Sequence, residues 1–137
     1  MRVVAIIPVR MASSRFPGKP LVPLLGLPMV EHVRRRVAMS DDVAATIVAT
    51  CDDEIREVVE DFGGRVIMTS AKHERGTDRV AEAAAEIDAD IVVNVQGDEP
   101  LITPVMVEQV ISPLAESNPI VATNLVAPID DPEEVAD

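Results

Sequence analysis

The sequence has 137 residues, of which 47% are hydrophobic, 26% charged and 1% aromatic, as expected for a globular domain with an aliphatic core. Its single cysteine, Cys51, leaves no intramolecular disulfide and favours a reducing, cytoplasmic setting. No apolar run approaches the roughly 20 residues of a membrane-spanning helix, and no signal-peptide cleavage pattern follows Met1, so neither membrane insertion nor export is expected. With 24 acidic residues against 12 Lys and Arg, the net charge of −12 argues against a nucleic-acid partner.

Short apolar runs rich in β-branched residues alternate along the chain with segments of helical periodicity. The predicted strands cover residues 2–7, 46–50, 66–68 and 91–95, with a last extended run at 120–126. The predicted helices include residues 30–37, 55–62, 80–87 and 103–114, with Thr103 as N-cap and Pro104 at the first helical position. Two acids after Pro132 favour the start of a further helix within 130–137 over a solvated tail.

This alternation predicts an α/β fold with a mainly parallel sheet. Each strand–helix–strand unit forms a right-handed crossover, so helices are expected on both faces of the sheet. In such sheets, ligands bind in the loops beyond the carboxyl ends of the strands. The loops that follow the first and last of the four strands are therefore the first places to look for a site.

The loop after the first strand, residues 10–20, carries three cations and two hydroxyl residues. Residues 1–30 contain four cations and no carboxylate, although the chain as a whole is acidic. Hydroxyls, backbone N–H groups and the cations of Arg10, Arg15 and Lys19 match the oxygens of a polyphosphate. The spacing around Gly18 does not fit a P-loop. A turn shaped by glycine and proline, with its charges in solvent, is the alternative.

The strand at 91–95 is followed by Gln96, Gly97 and Asp98. If this strand lies beside the first one, Asp98 emerges at the same edge as the cationic loop. A carboxylate next to a polyphosphate is suited to complete the ligand shell of Mg²⁺. A simple Gly-Asp turn explains the same residues equally well.

Three further polar segments lie close to predicted helices. Asp52 and Asp53 are interpreted as the N-cap and first turn of the second helix. Gly76-Thr77 is suited to cap the third helix, leaving Arg79 free to face a ligand, and here a structural and a functional role are equally favoured. The arginines at 34–36 are predicted to form a solvated helix face.

Taken together, four segments resemble the 3-deoxy-manno-octulosonate (Kdo) cytidylyltransferase family, the CMP-Kdo synthetases, within the sugar nucleotidyltransferases. The segments are Ile-Ile-Pro-Val-Arg at 6–10, Ser-Ser-Arg-Phe-Pro-Gly-Lys-Pro at 13–20, Gly-Thr-Asp-Arg at 76–79 and Asn-Val-Gln-Gly-Asp-Glu-Pro at 94–100. The resemblance covers practically the whole sequence. It implies the Rossmann-like fold of nucleotide-diphospho-sugar transferases.

The resemblance also implies a reaction and a set of site residues. Members of the family transfer CMP from CTP to Kdo for lipopolysaccharide biosynthesis, releasing pyrophosphate and using Mg²⁺. Carried over to this chain, the catalytic residues are Lys19, Arg15 and Asp98, with Asp98 as the Mg²⁺ ligand. The implied substrate-binding residues are Pro8, Arg10, Ser13, Ser14, Arg15, Lys19, Gly76, Arg79 and Gln96.

Family members are considerably longer than this chain. Residues 1–137 are therefore expected to form the nucleotide-binding part of a single cytidylyltransferase domain, without the C-terminal half. The resemblance places much of the Kdo pocket and a homodimer contact in that second half, so this chain alone is not expected to complete the reaction. Two alternatives remain open: a non-catalytic nucleotide-binding fragment, and a cytidylyltransferase for 8-amino-Kdo or a sialic acid.

Overall fold

The computed structural model describes residues 1–12, 17–116 and 122–123. Its strands are β1 (Val3–Pro8), β2 (Pro23–Leu24), β3 (Leu27–Pro28), β4 (Ala45–Thr50), β5 (Arg65–Met68) and β6 (Ile91–Asn94). Its helices are α1 (Met29–Ala38), α2 (Asp53–Asp61), α3 (Gly76–Ala84) and α4 (Pro104–Glu116). Within these described ranges, none of the helices combines the length and the apolar character that crossing a bilayer requires. The extended run predicted at 120–126 and the helix start predicted at 130–137 lie outside the described residues, apart from positions 122–123, which are not in a strand.

Within the described part of the chain, four strands form one parallel sheet in the order β5-β4-β1-β6. β1 lies inside the sheet, and its Ile6 is in register with Ile47 of β4 on one side and Asn94 of β6 on the other. Every residue of β1 is buried, which explains why its sequence is a continuous apolar run rather than an alternating one. The predicted parallel sheet is confirmed.

Helices cover both faces of the sheet, as the alternation of elements predicts. Ala5 and Ile7 belong to a core cluster that includes apolar residues of α1, α2 and α4. Val4 and Ile6 belong to a second cluster with Val80 of α3. Since successive side chains of a strand point to opposite faces, α3 covers one face and the other three helices cover the second.

A small antiparallel hairpin, β2–β3, precedes α1 and has no counterpart in the sequence prediction. Each of its strands has two residues, too few for an alternating pattern to be recognised. Its turn residues, Leu25 and Gly26, both have positive φ, the geometry of tight hairpin turns. The Leu25 side chain is almost fully exposed at the tip.

The prediction that the arginines of α1 form a solvated face holds for Arg35, which is exposed, but was wrong for Arg34 and Arg36, which are half-buried. Glu31 is completely buried, and its carboxylate accepts hydrogen bonds from Arg34 at 2.6 and 2.8 Å and from Arg35 at 3.0 Å. Arg36 donates to the carbonyl oxygen of Ile102 at 3.4 Å. A buried carboxylate needs charged partners, and residues three and four positions later on a helix are the nearest ones.

Two predicted helix starts have different outcomes. Thr103 is confirmed at the start of α4, because its Oγ1 accepts the Met106 N–H at 3.2 Å and Pro104 is the first helical residue. For α3 the predicted cap at Gly76-Thr77 was wrong. The helix begins at Gly76, and Arg75 occupies the N-cap position without a side-chain hydrogen bond.

Candidate functional site

A cavity of about 390 Å³ opens at the carboxyl edge of the sheet. It lies where β1 and β6 end, and the N-terminal end of α3 forms its remaining wall. The parallel pairing of β1 with β6 brings the two strand ends to the same edge. The position agrees with the general rule that parallel α/β sheets bind their ligands there.

The first wall of the cavity follows β1. Pro8, Arg10 and Lys19 line it, and Lys19 begins a short 3₁₀ turn, Lys19–Leu21. Gly18, just before that turn, has φ +79°, a conformation that glycine adopts without strain. Its N–H donates to the carbonyl oxygen of Met11 at 2.8 Å, so the two ends of the loop meet. This hydrogen bond therefore brings together the two chain segments that carry Arg10 and Lys19.

The second wall follows β6, where Gln96, Gly97 and Asp98 line the cavity. Gly97 is buried against the exit of β1: a Cβ at this position would overlap Val9 Cγ1 and lie 3.2 Å from the Pro8 carbonyl oxygen. Only glycine permits this close approach. Asp98, the next residue, is exposed at the cavity, so the carboxylate and the cationic loop share one opening as predicted.

The third wall is formed by the start of α3 and the segment before it. Gly76 and Arg79 line the cavity. Arg79 is only 3% exposed, and its Nη1 donates to Thr69 Oγ1 and to the Ser70 carbonyl oxygen, the latter at 3.1 Å. Arg79 therefore has a structural task, holding the segment after β5 against α3. Contact of Arg79 with a ligand stays a prediction.

Glu82 of α3 also holds the segment between β5 and α3, through contacts with Ser70 and His73. Its carboxylate accepts the Ser70 N–H at 3.1 Å and lies 2.8 Å from His73 Nε2. The hydrogen bond with His73, together with that from Ser70, lowers the pKa of Glu82 below its ordinary value of 4.5. The arrangement fixes His73, which lines the cavity.

Asp52 is the N-cap residue of α2, as predicted, but its side chain forms no hydrogen bond with the helix. Its Oδ2 instead accepts the N–H of Met11 at 2.8 Å, across from the end of β4 to the loop after β1. Asp53 follows in the first turn of α2, as predicted. The sheet brings Asp52 to a donor 41 positions away in the chain, which helix-capping rules do not anticipate.

The cavity wall contains every predicted site residue that the structure describes: Pro8, Arg10, Lys19, Gly76, Arg79, Gln96 and Asp98. Ser13, Ser14 and Arg15 lie outside the described residues. Three residues of the cavity wall were not predicted to belong to the site: His73, Glu74 and Arg75. Their signal was their position directly before the Gly-Thr-Asp-Arg segment.

The donor set of the cavity fits a magnesium ion held mainly by a substrate. Within residues 1–12, 17–116 and 122–123 no group of three or more His, Cys, Asp or Glu side chains could hold a metal ion alone. The carboxylates of the wall are Asp98 and Glu74. Mg²⁺ at nucleotide sites is bound by one or two carboxylates, phosphate oxygens and water, so one exposed aspartate is sufficient.

Known proteins with similar sequences and structures show the family to which this chain belongs. Residues 4–137 match the family model described as cytidylyltransferase. The chain belongs to the cytidylyltransferase family. A solved structure described as CMP:2-keto-3-deoxy-manno-octonic acid synthetase complexed with CTP resembles this cytidylyltransferase chain with a TM-score of 0.84 and 43% identity, over 86% of this chain and 49% of the other. The expected Rossmann-like nucleotidyltransferase fold is thereby confirmed.

Curated relatives of this cytidylyltransferase chain are named for two related sugars. The 3-deoxy-manno-octulosonate cytidylyltransferase of Geobacter metallireducens is 60% identical over 83% of this chain and 45% of its own length. The 8-amino-3,8-dideoxy-manno-octulosonate cytidylyltransferase of Shewanella sediminis is 50% identical over 87% of this chain and 49% of its own length. The chain thus spans about half the length of the curated relatives it matches.

Proposed function

We propose that the chain forms the CTP-binding part of an enzyme that transfers CMP from CTP to Kdo, with release of pyrophosphate, for lipopolysaccharide biosynthesis. One observation carries the proposal: Lys19, Arg10 and Asp98 line a single cavity at the carboxyl edge of the sheet. The name of the Geobacter metallireducens relative supports the sugar, and the similar solved structure, described as complexed with CTP, supports the nucleotide.

The proposed reaction is a nucleotidyl transfer without a covalent enzyme intermediate. The anomeric hydroxyl oxygen of Kdo forms a bond to the α-phosphorus of CTP. The bond from that phosphorus to the oxygen bridging to the β-phosphate breaks, pyrophosphate leaves with the electron pair, and the hydroxyl proton passes to solvent. Such transfers depend on alignment and on neutralisation of charge. Arg10, Lys19 and, in the segment outside the described residues, Arg15 supply the cations.

The other predicted site residues are assigned to the two substrates. Ser13 and Ser14 give hydrogen bonds to phosphate oxygens. Backbone groups near Pro8 and the pocket before Gly76 take the cytosine ring. Gln96 contacts the sugar, and Arg79 contacts the nucleotide or the sugar.

We further propose Mg²⁺ as the cofactor, with Asp98 as its ligand on this chain. When bound, the ion neutralises charge on the triphosphate. Asp98 itself projects a negative charge into a cavity that takes a polyanion. The carboxylate is therefore unfavourable for CTP binding without a cation, and favourable with one.

The specific sugar has two candidates. Relatives at 60% and 50% identity are named for Kdo and for its 8-amino analogue, respectively. The sugar pocket is assigned mostly to the half of the relatives that this chain does not match. Kdo is preferred because the more similar relatives carry its name.

We also infer that residues 1–137 make up the nucleotide-binding part of a single domain. In this proposal the completed protein is a cytoplasmic homodimer whose dimer contact lies in the other half. Two experiments test the proposed function, the first on catalysis and the second on CTP binding.

The catalytic test measures pyrophosphate release from CTP and Mg²⁺ by a chain extended to the length of its relatives. Kdo, 8-amino-Kdo and a sialic acid are compared as acceptors. Release with Kdo is expected. No release with any acceptor contradicts the proposed reaction, and release only with 8-amino-Kdo replaces the proposed sugar.

The binding test uses the 137 residues themselves and isothermal titration calorimetry with CTP and Mg²⁺. Lys19→Ala is expected to weaken CTP binding about tenfold, since a charge-assisted hydrogen bond contributes roughly 1.5–3 kcal/mol and part of that is lost to solvent screening. Lys72→Ala is the matched control, because Lys72 is the other lysine of the chain and is not in the cavity wall. Equal affinity of the two variants removes Lys19 from the site.

A further inference from the structure

Asp52 makes a hydrogen bond that neither the helix it precedes nor the proposed chemistry requires. It follows β4, the neighbour of β1 in the sheet, and its Oδ2 accepts the N–H of Met11 at 2.8 Å. The Cys51 thiol lies 3.7 Å from the same oxygen. The Asp52 N–H donates to Thr50 Oγ1 at 3.2 Å, which fixes the backbone that carries the carboxylate.

The peptide that Asp52 holds lies between Arg10 and Lys19, the two cations of the cavity wall that follows β1. Met11 directly follows Arg10, and its carbonyl oxygen accepts the N–H of Gly18 at 2.8 Å. Gly18 directly precedes Lys19. One carboxylate thus anchors the residue that links the strand side of the loop to the lysine side.

We propose that Asp52 is a positioning residue for triphosphate binding, acting through the Met11 peptide on Arg10 and Lys19. This inference depends on the proposed function. Asp52 does not line the cavity, so its proposed effect on the triphosphate passes through the Met11 peptide. A hydrogen bond from an N–H to a carboxylate is stronger than one to a neutral acceptor, which suits an anchor for a loop that must hold two cations in place.

A purely structural role predicts a different pattern of effects. If Asp52 served only the helix dipole of α2, its loss would match the loss of Asp53, which is in the first turn of the same helix. It would also affect every nucleotide equally. Positioning of the two cations predicts an effect that grows with the number of phosphates on the ligand.

The experiment compares CTP and CMP binding by calorimetry in the wild-type 137-residue chain and in three variants, with Mg²⁺ present throughout. Asp52→Ala removes the acceptor and is expected to weaken CTP binding about tenfold, with CMP weakened less than about twofold. Asp52→Asn retains a neutral acceptor and is expected to bind CTP about threefold more weakly than wild type. Asp53→Ala is the matched control and should bind both nucleotides as wild type does.

The outcomes separate this inference from the proposed function. Equal weakening of CTP and CMP, or CTP affinity in Asp52→Ala equal to that in Asp53→Ala, overturns the positioning role alone. Should Asp52→Ala not fold, the selective threefold loss in Asp52→Asn decides the question by itself. Absence of CTP binding by the wild-type chain contradicts the proposed function and, with it, this inference.

Discussion

Gly97 sets how closely β6 approaches β1 where both strands leave the sheet. A Cβ at this position would overlap Val9 Cγ1 and lie 3.2 Å from the Pro8 carbonyl oxygen. The backbone at Gly97 therefore passes the exit of β1 so closely that any residue with a Cβ would force Val9 or the strand end to move. Asp98 owes its place in the cavity wall to this contact, because it is the next residue after the close approach.

Gly97→Ala is expected to destabilise the chain by about 1–3 kcal/mol, because the added methyl group must push Val9 or the strand end aside. Urea unfolding followed by circular dichroism measures the change. The double variant Gly97→Ala/Val9→Ala removes the Val9 methyl that the new Cβ meets, so it should be more stable than the sum of the single effects predicts. Full additivity would show that the close approach is not what Gly97 is needed for.

The sequence alone was sufficient for single residues whose role depends on their local neighbours or on the edge rule for parallel sheets. Arg10, Lys19 and Asp98 were placed at one edge because they follow strands, and the structure brings them into one cavity wall. The hydrogen bonds of Asp52 and Glu31 were not predicted. Asp52 meets its partner, Met11, only because β4 and β1 are neighbours in space, and Glu31 needs its arginine partners because its carboxylate is completely buried. Neither fact follows from the local sequence pattern.

At the level of elements, long apolar runs and clear helical periodicity predicted the four strands of the main sheet and the four helices that the described residues contain. α4 was predicted to its first residue, since Thr103 and Pro104 form a local cap signal that needs no tertiary information. The start of α3 at Gly76 was not. There the segment before the helix is held by Arg79 and Glu82, whose contacts arise only after folding.

The contact between α3 and the segment after β5 has a pH dependence that follows from Glu82. Hydrogen bonds from His73 and Ser70 lower the pKa of Glu82 below 4.5 in the folded chain. A lowered pKa stabilises the fold above the ordinary pKa of the carboxyl, and this contribution is lost as the pH falls through the lowered value. The attachment of the cavity segment to α3 is therefore retained at neutral and mildly acidic pH and weakens only at more acidic pH.

Glu82→Gln is expected to lower the midpoint of thermal unfolding relative to wild type at pH 7. The difference should be smaller at about pH 3 than at pH 7, because the contribution of the charged carboxylate is lost as the pH falls through its lowered pKa. Circular dichroism melts at both pH values measure it. Glu86→Gln, a change at an exposed glutamate just after α3, controls for the loss of one negative charge. A Glu82→Gln difference that is the same at both pH values contradicts the assigned role of the charged carboxylate.

On the scale of the whole molecule, charge is distributed unevenly. The chain carries a net charge of −12, whereas its first thirty residues contain four cations and no acid. The excess carboxylates repel one another and also repel a nucleotide triphosphate. The cavity has the opposite local character on its β1 side, where Arg10 and Lys19 lie. The repulsion by the net negative charge and the attraction by the cavity cations act over different distances, so added salt can distinguish their effects.

Added NaCl, from about 0.02 to 0.3 M, is expected to change stability and CTP affinity in opposite directions. Screening relieves the repulsion among the excess carboxylates, so the melting temperature of the ligand-free chain should rise. Over the same range CTP affinity should fall, because screening weakens the attraction of the cavity cations for the triphosphate. The fall should be shallower in Lys19→Ala, which has one cation fewer, and unchanged from wild type in Lys72→Ala. A rise of CTP affinity with salt would mean that the overall negative charge, and not the cations of the cavity, governs how the nucleotide binds.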